Sequence, residues 1–204
     1  MSAIPEARVP RRSPRRRAVA GDRVEELLRQ AGDIVLSEGF TSVTMDELAQ
    51  RLGCSKATLY SVAGSKEQLV QAITRRFFLG AAEEIEDKVA AETDPRQRIR
   101  TYLSGVGTAM HRHSPAFYDD MVSYAPTARI YRRNSDAAAR RVHELIDEGV
   151  RAGAFRNLNG TFAAHVVAVA IDALQSGALL DATGLSPGDA FTELGDLLLD
   201  GLSR

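Results

Sequence analysis

The chain has 204 residues, 44% hydrophobic and 26% charged, a balance that supports a packed core and excludes a generally disordered polymer. A single cysteine, Cys54, excludes an internal disulfide and a cysteine-only zinc site and suits a reducing compartment, so a cytoplasmic protein is expected. The net charge of −1 hides an asymmetry: residues 1–66 carry 11 Lys and Arg against 8 Asp and Glu, and the remainder 15 against 19, which suits a nucleic-acid partner for the front third.

Residues 1–20 hold three prolines, six arginines and no apolar periodicity, and read as a flexible basic arm. They lack the apolar run of an export signal. No stretch of the chain is long and apolar enough to span a bilayer, so no membrane partner is expected. From Asp22, Val24, Leu27, Leu28, Ala31, Ile34 and Val35 recur at helical spacing until Gly39 stops the run. Thr44 and Glu47 form a capping-box pair at the head of a helix through Met45, Leu48, Ala49 and Leu52. Gly53 breaks that helix, and Ser55 to Ser61 leaves room for two turns before Gly64. Ser65 then caps a long helix to about Glu92, and Asp94-Pro95 opens another carrying Ile99, Tyr102, Leu103, Val106 and Met110. Ser114-Pro115 restarts the chain. A stripe of Ala138, Val142, Leu145, Ile146 and Val150 ends at Gly153. Thr161 is positioned to cap a helix with Ala163, Val166, Val167, Ala170, Ile171 and Leu174 inward, and Ser186-Pro187 starts the last, with Leu194, Leu197 and Leu198. No alternating strand pattern and no fixed-period repeat interrupts this. The fold class is all-α, with about nine helices.

Helix, glycine turn and short helix between Arg23 and Lys66 is the layout in which a second helix enters the DNA major groove. Leu59 points inward, which leaves Lys56, Ala57, Thr58 and Tyr60 to face variously outward. Lysine and hydroxyl side chains donate to phosphate oxygens or guanine acceptors, while Ala57 suits a thymine methyl.

Three linked blocks, Gly39-Phe40-Thr41-Ser42-Val43-Thr44-Met45-Asp46-Glu47-Leu48-Ala49, Leu52-Gly53-Cys54-Ser55-Lys56-Ala57-Thr58-Leu59-Tyr60 and Ser65-Lys66-Glu67-Gln68-Leu69, resemble the TetR family of bacterial transcriptional regulators. The resemblance covers about residues 23–70. It implies that Tyr60 and Lys66 contact the DNA backbone, that Thr44 contacts a phosphate, that Lys56, Ala57 and Thr58 lie where family members reach base edges, and that Ser55 is a further DNA-binding residue. It further implies a helix-turn-helix domain over residues 21–67, a dimerisation and ligand-binding domain over 68–204, and a homodimer on an inverted-repeat operator. The expected function is a repressor released by a small organic effector; the alternative is an effector-free regulator controlled by concentration or a protein partner. The chain departs from the family pattern at Ser61, Val62 and Ala63, where aromatic or histidine residues are usual, and at Cys54, where valine is common.

Tyr102, Met110, Phe117, Met121, Tyr124 and His165 are the expected lining of the effector pocket, a mixture of apolar and hydroxyl-bearing groups suited to a planar or amphipathic molecule. The same spacing also describes an ordinary core. His111 and His113 are too far apart around a helix to share a metal, and neither a metal nor a cofactor is expected. No Gly-x-Ser-x-Gly, phosphate-cradling glycine loop or His-Glu-x-x-His occurs, so an enzyme is not expected.

Overall fold

The computed structural model describes residues 14–155 and 159–202, and every regular element among them is a helix. There are ten: α1 (Pro14–Glu38), α2 (Met45–Arg51), α3 (Lys56–Val62), α4 (Lys66–Ala91), α5 (Pro95–Met110), α6 (Pro115–Ser123), α7 (Ala125–Arg151), α8 (Gly160–Gln175), α9 (Ala178–Thr183) and α10 (Pro187–Leu202).

Most boundaries follow from local chemistry. Ser55, Ser65, Asp94 and Ser114 each place a side-chain oxygen on an amide of the first turn that has no partner within its helix. Gly39 and Gly53, at φ of 80° and 60°, turn the chain out of α1 and α2 in the left-handed region that disfavours side chains. Ala31 and Val35 of α1 pack with Leu48 of α2, Leu59 of α3 and Leu69 and Ile73 of α4. Farther along α4, Phe78, Ile85 and Val89 join Ile99, Leu103, Val142, Leu145 and Ile146 in the same unbroken core. One 26-residue helix therefore runs from the front unit into the body.

Four expectations are corrected. The backbone is already helical at Pro14, inside the stretch read as an arm; residues 1–13 lie outside the described residues. Helix α7 begins at Ala125, well before Ala138, because its first inward positions are Thr127, Tyr131 and Ser135, which do not register as an apolar stripe. The two aliphatic hydroxyls are accommodated locally: Thr127 donates to the Met121 and Tyr124 carbonyls and Ser135 to the Tyr131 carbonyl. Helix α8 is capped by Asn159 rather than Thr161, and Val166 faces outward from it. The additional short helix α9 buries none of its residues, so no periodicity announced it.

Candidate nucleic-acid interface

Helices α2 and α3 are set at the outer end of the molecule by reciprocal capping and one anchor. Thr44 and Glu47 close the capping box: the Glu47 carboxylate accepts the Thr44 amide and hydroxyl, each at 2.8 Å, and the Thr44 oxygen accepts the Glu47 amide at 3.2 Å. The Thr44 amide, followed by its hydroxyl, holds the Glu47 carboxyl below the usual carboxylate range. At the head of α3 the Ser55 oxygen accepts the Thr58 amide at 3.1 Å, and the two hydroxyls are 2.8 Å apart. Leu59, with no exposed surface, fixes the inner face of α3. Burying one leucine contributes roughly 1.5 to 3 kcal/mol, enough to dock a two-turn helix that would not hold alone.

The outer face then follows from helical geometry. Ser55, Lys56, Ala57 and Ser61 are exposed, Tyr60 is 47% exposed, and Thr58 is half-buried behind them. Lys56 forms an ion pair with Asp46 of α2. Arg51 is neutralised by Glu38 through two hydrogen bonds of 2.7 and 2.5 Å. Lys66, at the head of α4, donates to the Thr41 carbonyl at 3.2 Å. Thr44 caps α2 and Lys66 opens α4, so the seven expected DNA-contacting residues fall on α3, its cap and the adjoining ends of its two neighbours. Cys54 is half-buried against the core, and Ala63 is buried. The departure after Tyr60 therefore supplies a small packed residue to end α3.

The expected pocket residues separate into four places. Tyr102 and Met110 line a cavity of about 200 Å³ between α4, α5 and α7, to which Phe191 of α10 also contributes. Phe117 and Met121 are fully buried core and line neither this cavity nor its neighbour. Tyr124 packs its ring on Phe40 at 5.9 Å, at the junction of front unit and body. His165 is exposed on α8. Helical spacing alone does not separate side chains that fill a core from side chains that rim a void.

Tyr131, one of the hydroxyl-bearing side chains of the middle region, lines the cavity, and the rest of the wall, which the sequence did not single out, comes from α4 and α7: Phe77, Phe78, Glu86, Asn134 and Arg141. Arg141 binds Glu86 at 2.8 Å and Glu144 at 3.1 Å, and the pairing with Glu86 raises its pKa further. Burial, reinforced by Glu86, pushes the Tyr102 phenol up to about 12. A second, larger cleft of about 830 Å³ lies between α6 and the α8–α10 segment, lined by Met110, His113, Tyr118, Leu180 and Pro187 among others. Burial lowers the His113 pKa. Among the described residues no group of three or more His, Cys, Asp or Glu is arranged to hold a metal ion, and no helix is long and apolar enough to cross a membrane.

Residues 27–73 match the family model described as bacterial regulatory proteins, tetR family. The chain is 27% identical over 157 residues to the HTH-type transcriptional activator FasR of Mycolicibacterium smegmatis, a match covering 74% of this chain and 70% of that one. Among solved structures, a TetR transcription regulator from Haloarcula marismortui superposes with a TM-score of 0.69 at 16% identity, over 90% of this chain and 100% of the other. A transcriptional regulator from Saccharomonospora viridis in complex with choline superposes with a TM-score of 0.70 at 18% identity, over 90% and 99%. The two structural likenesses carry the fold, and the matched helix-turn-helix carries the DNA-binding unit. With its capped α2–α3 pair and exposed α3 face, the front of the chain is a helix-turn-helix unit of the kind that the tetR family model describes, and the whole chain has the fold of the TetR-type regulators on which it superposes.

Proposed function

We propose that this protein is a homodimeric repressor that binds an inverted-repeat operator through two copies of α3 and is released by a small organic molecule held in its helical body. The observation that carries this is the continuity of α4: the same helix starts beside α3 at Lys66 and, about three to six turns later, contributes Phe77, Phe78, Ala81 and Glu86 to the wall of the cavity. A molecule in that cavity acts through its different affinity for the two tilts of α4, and couplings of this kind are typically about 1 to 3 kcal/mol. Residues 21–67 serve as the DNA-binding unit and 68–204 as the effector and dimerisation unit.

Thr44, Tyr60 and Lys66 take backbone phosphates in this scheme, and Ser55, Lys56, Ala57 and Thr58 meet base edges. Five aromatic rings, from Phe77, Phe78, Tyr102, Tyr131 and Phe191, line the cavity together with the Glu86 carboxylate, which favours a planar or amphipathic molecule. Aromatic faces also hold quaternary ammonium groups, so choline, carried by the Saccharomonospora neighbour, belongs among the first probes. FasR is named an activator, so the sign of regulation is read directly, with a reporter gene placed behind the selected operator.

The deciding experiment selects duplexes from a randomised library with the purified protein, then titrates the best duplex in the presence of choline and a panel of aromatic and amphipathic metabolites. Enrichment of an inverted repeat and at least one compound that lowers affinity about 5- to 150-fold are expected. A broad panel that neither shifts affinity nor raises the melting temperature would favour the effector-free regulator. Failure to enrich any sequence would overturn the proposal.

A further inference from the structure

Helix α6 belongs to the body, yet one of its faces is built as a seat for the turn that precedes α2. Phe117, Asp120 and Tyr124 follow each other at three and four residues and so share that face. The Phe40 ring lies between Phe117 and Tyr124, with centroid distances of 6.1 and 5.9 Å and edge-on geometry to both. Between them, Asp120 Oδ2 accepts the amides of Phe40 and Thr41 at 2.6 and 2.7 Å, and Oδ1 accepts the Thr41 hydroxyl at 2.6 Å. Burial works against the Asp120 charge, but the Thr41 hydroxyl and the two amides outweigh it and hold the carboxyl below its ordinary range. The approach is close enough that a Cβ on Gly39 would stand 2.6 Å from Asp120 Oδ2 and 3.2 Å from the Ala116 carbonyl.

The Thr41 peptide is held from its other side as well, because its carbonyl accepts Lys66 Nζ. A chain of direct contacts therefore runs from Asp120 through Thr41 to Lys66, and three residues beyond Thr41 lies the cap of α2. We propose that Asp120 is a positioning residue for DNA binding: through Thr41 it sets the place of Lys66 and of the α2–α3 pair relative to the body. This inference rests on the DNA-binding reading. Charge-assisted hydrogen bonds are roughly twice as strong as neutral ones, and three of them converge here on a turn with no regular structure of its own. On the same helix, Tyr118, Asp119 and Val122 line the 830 Å³ cleft, so a rearrangement of the body at that cleft reaches the turn through α6.

The test uses the full chain and two probes: a duplex selected from a randomised library by the wild-type protein, and an unrelated duplex at low salt. Selection by the wild type tests DNA binding itself, apart from the variants. D120A should bind the selected duplex about tenfold or more weakly while its affinity for the unrelated duplex stays within about twofold, as expected when register is lost and phosphate attraction is kept. D120N, which retains one oxygen able to accept both amides, should recover most of the selected-duplex affinity. T41V should weaken selected binding in the wild type and have no further effect in the D120A background, the mark of residues acting as one unit. Equal loss on both probes, unchanged binding of D120A, or additive effects of T41V and D120A would each overturn the proposal. If D120A does not fold to the wild-type helix content, T41V and D120N decide, and unchanged selected binding in T41V is then the overturning result.

Discussion

Lys56 opens α3 and Lys66 follows it at the head of α4, and the proposed scheme gives the two cations different work. Lys56 sits on the exposed face and is paired only with the exposed Asp46, a partner it can exchange for a base edge at little cost. Lys66 is half-buried and tied to the Thr41 carbonyl, which keeps it at the flank, where a phosphate would pass. Replacing Lys66 with alanine should weaken all duplexes alike and flatten the slope of log affinity against log salt by about 0.9. Replacing Lys56 should instead change the sequence preferred in a selection. A shifted preference in the Lys66 variant and none in the Lys56 variant would reverse the assignment. Gly39 and Gly53 offer a second comparison within one unit. Both have positive φ, but a Cβ at Gly53 meets nothing within 4 Å, whereas at Gly39 it meets Asp120 and Ala116. Gly53→Ala should cost about 1 to 2 kcal/mol in urea unfolding, the backbone penalty alone. Gly39→Ala should cost clearly more and also lower operator affinity, since it pushes against the clasp that holds the turn. Equal costs for the two would show that the carboxylate moves aside freely.

At the scale of elements, the helices whose inward faces are aliphatic and whose ends are capped were legible from the sequence: α2 from Thr44 and Glu47, α4 from Ser65 and its stripe, α5 from Asp94-Pro95. Helix α7 was legible only in its second half, because its first half turns Thr127, Tyr131 and Ser135 inward. The same polar stripe hid part of the cavity: Ser135 and Arg141 line it beside Tyr131, and neither stands out as inward until α7 is seen to begin at Ala125. The exposed face of α3 could be read because a glycine turn and one buried leucine determine it locally. The cavity depends on how α4, α5 and α7 meet, which no local spacing encodes. The buried phenols of the body yield a measurable consequence. Tyr102 is pushed up to about 12 by burial, and burial also raises Tyr131 and Tyr118. The unfolded chain releases these protons near pH 10 while the folded chain keeps them, so the folded state binds more protons and stability falls as pH rises above about 10. Each fully retained proton costs about 1.4 kcal/mol per pH unit in that window. Urea unfolding at pH 9, 10 and 11 should show the loss, and Tyr102→Phe should reduce it by about that amount between pH 10 and 11. Identical pH profiles for the two proteins would place the Tyr102 phenol in solvent.

For the whole molecule, the proposed dimer must account for apolar surface that the protomer leaves uncovered. Phe162, Val166 and Val169 follow each other on α8 at four and three residues and are 69%, 50% and 69% exposed, and Leu197 on α10 is 76% exposed. Val167, Ile171 and Leu174 of α8 are buried against the body, so α8 has an apolar stripe on each side. A second apolar stripe has no use in an isolated soluble helix and marks a surface that another chain covers. A second copy is the economical occupant, because a twofold axis pairs each stripe with itself and also presents two α3 helices to DNA, as an inverted repeat requires. One short helix reading one half-site gives little discrimination, and specific binding typically exceeds non-specific binding by 10³ or more only when the full site is engaged. Val169→Glu sets two carboxylates against an apolar face across the axis without touching the protomer's own core. The variant should keep its helix content and melting cooperativity, run as a monomer by light scattering at micromolar concentration, and lose about 100-fold or more of its affinity for the selected inverted repeat. Its low-salt binding to unrelated duplex should fall far less, since phosphate attraction does not need two half-sites. A Val169→Glu protein that remained dimeric and bound the inverted repeat like the wild type would move the interface away from α8 and leave its outer stripe to a different partner.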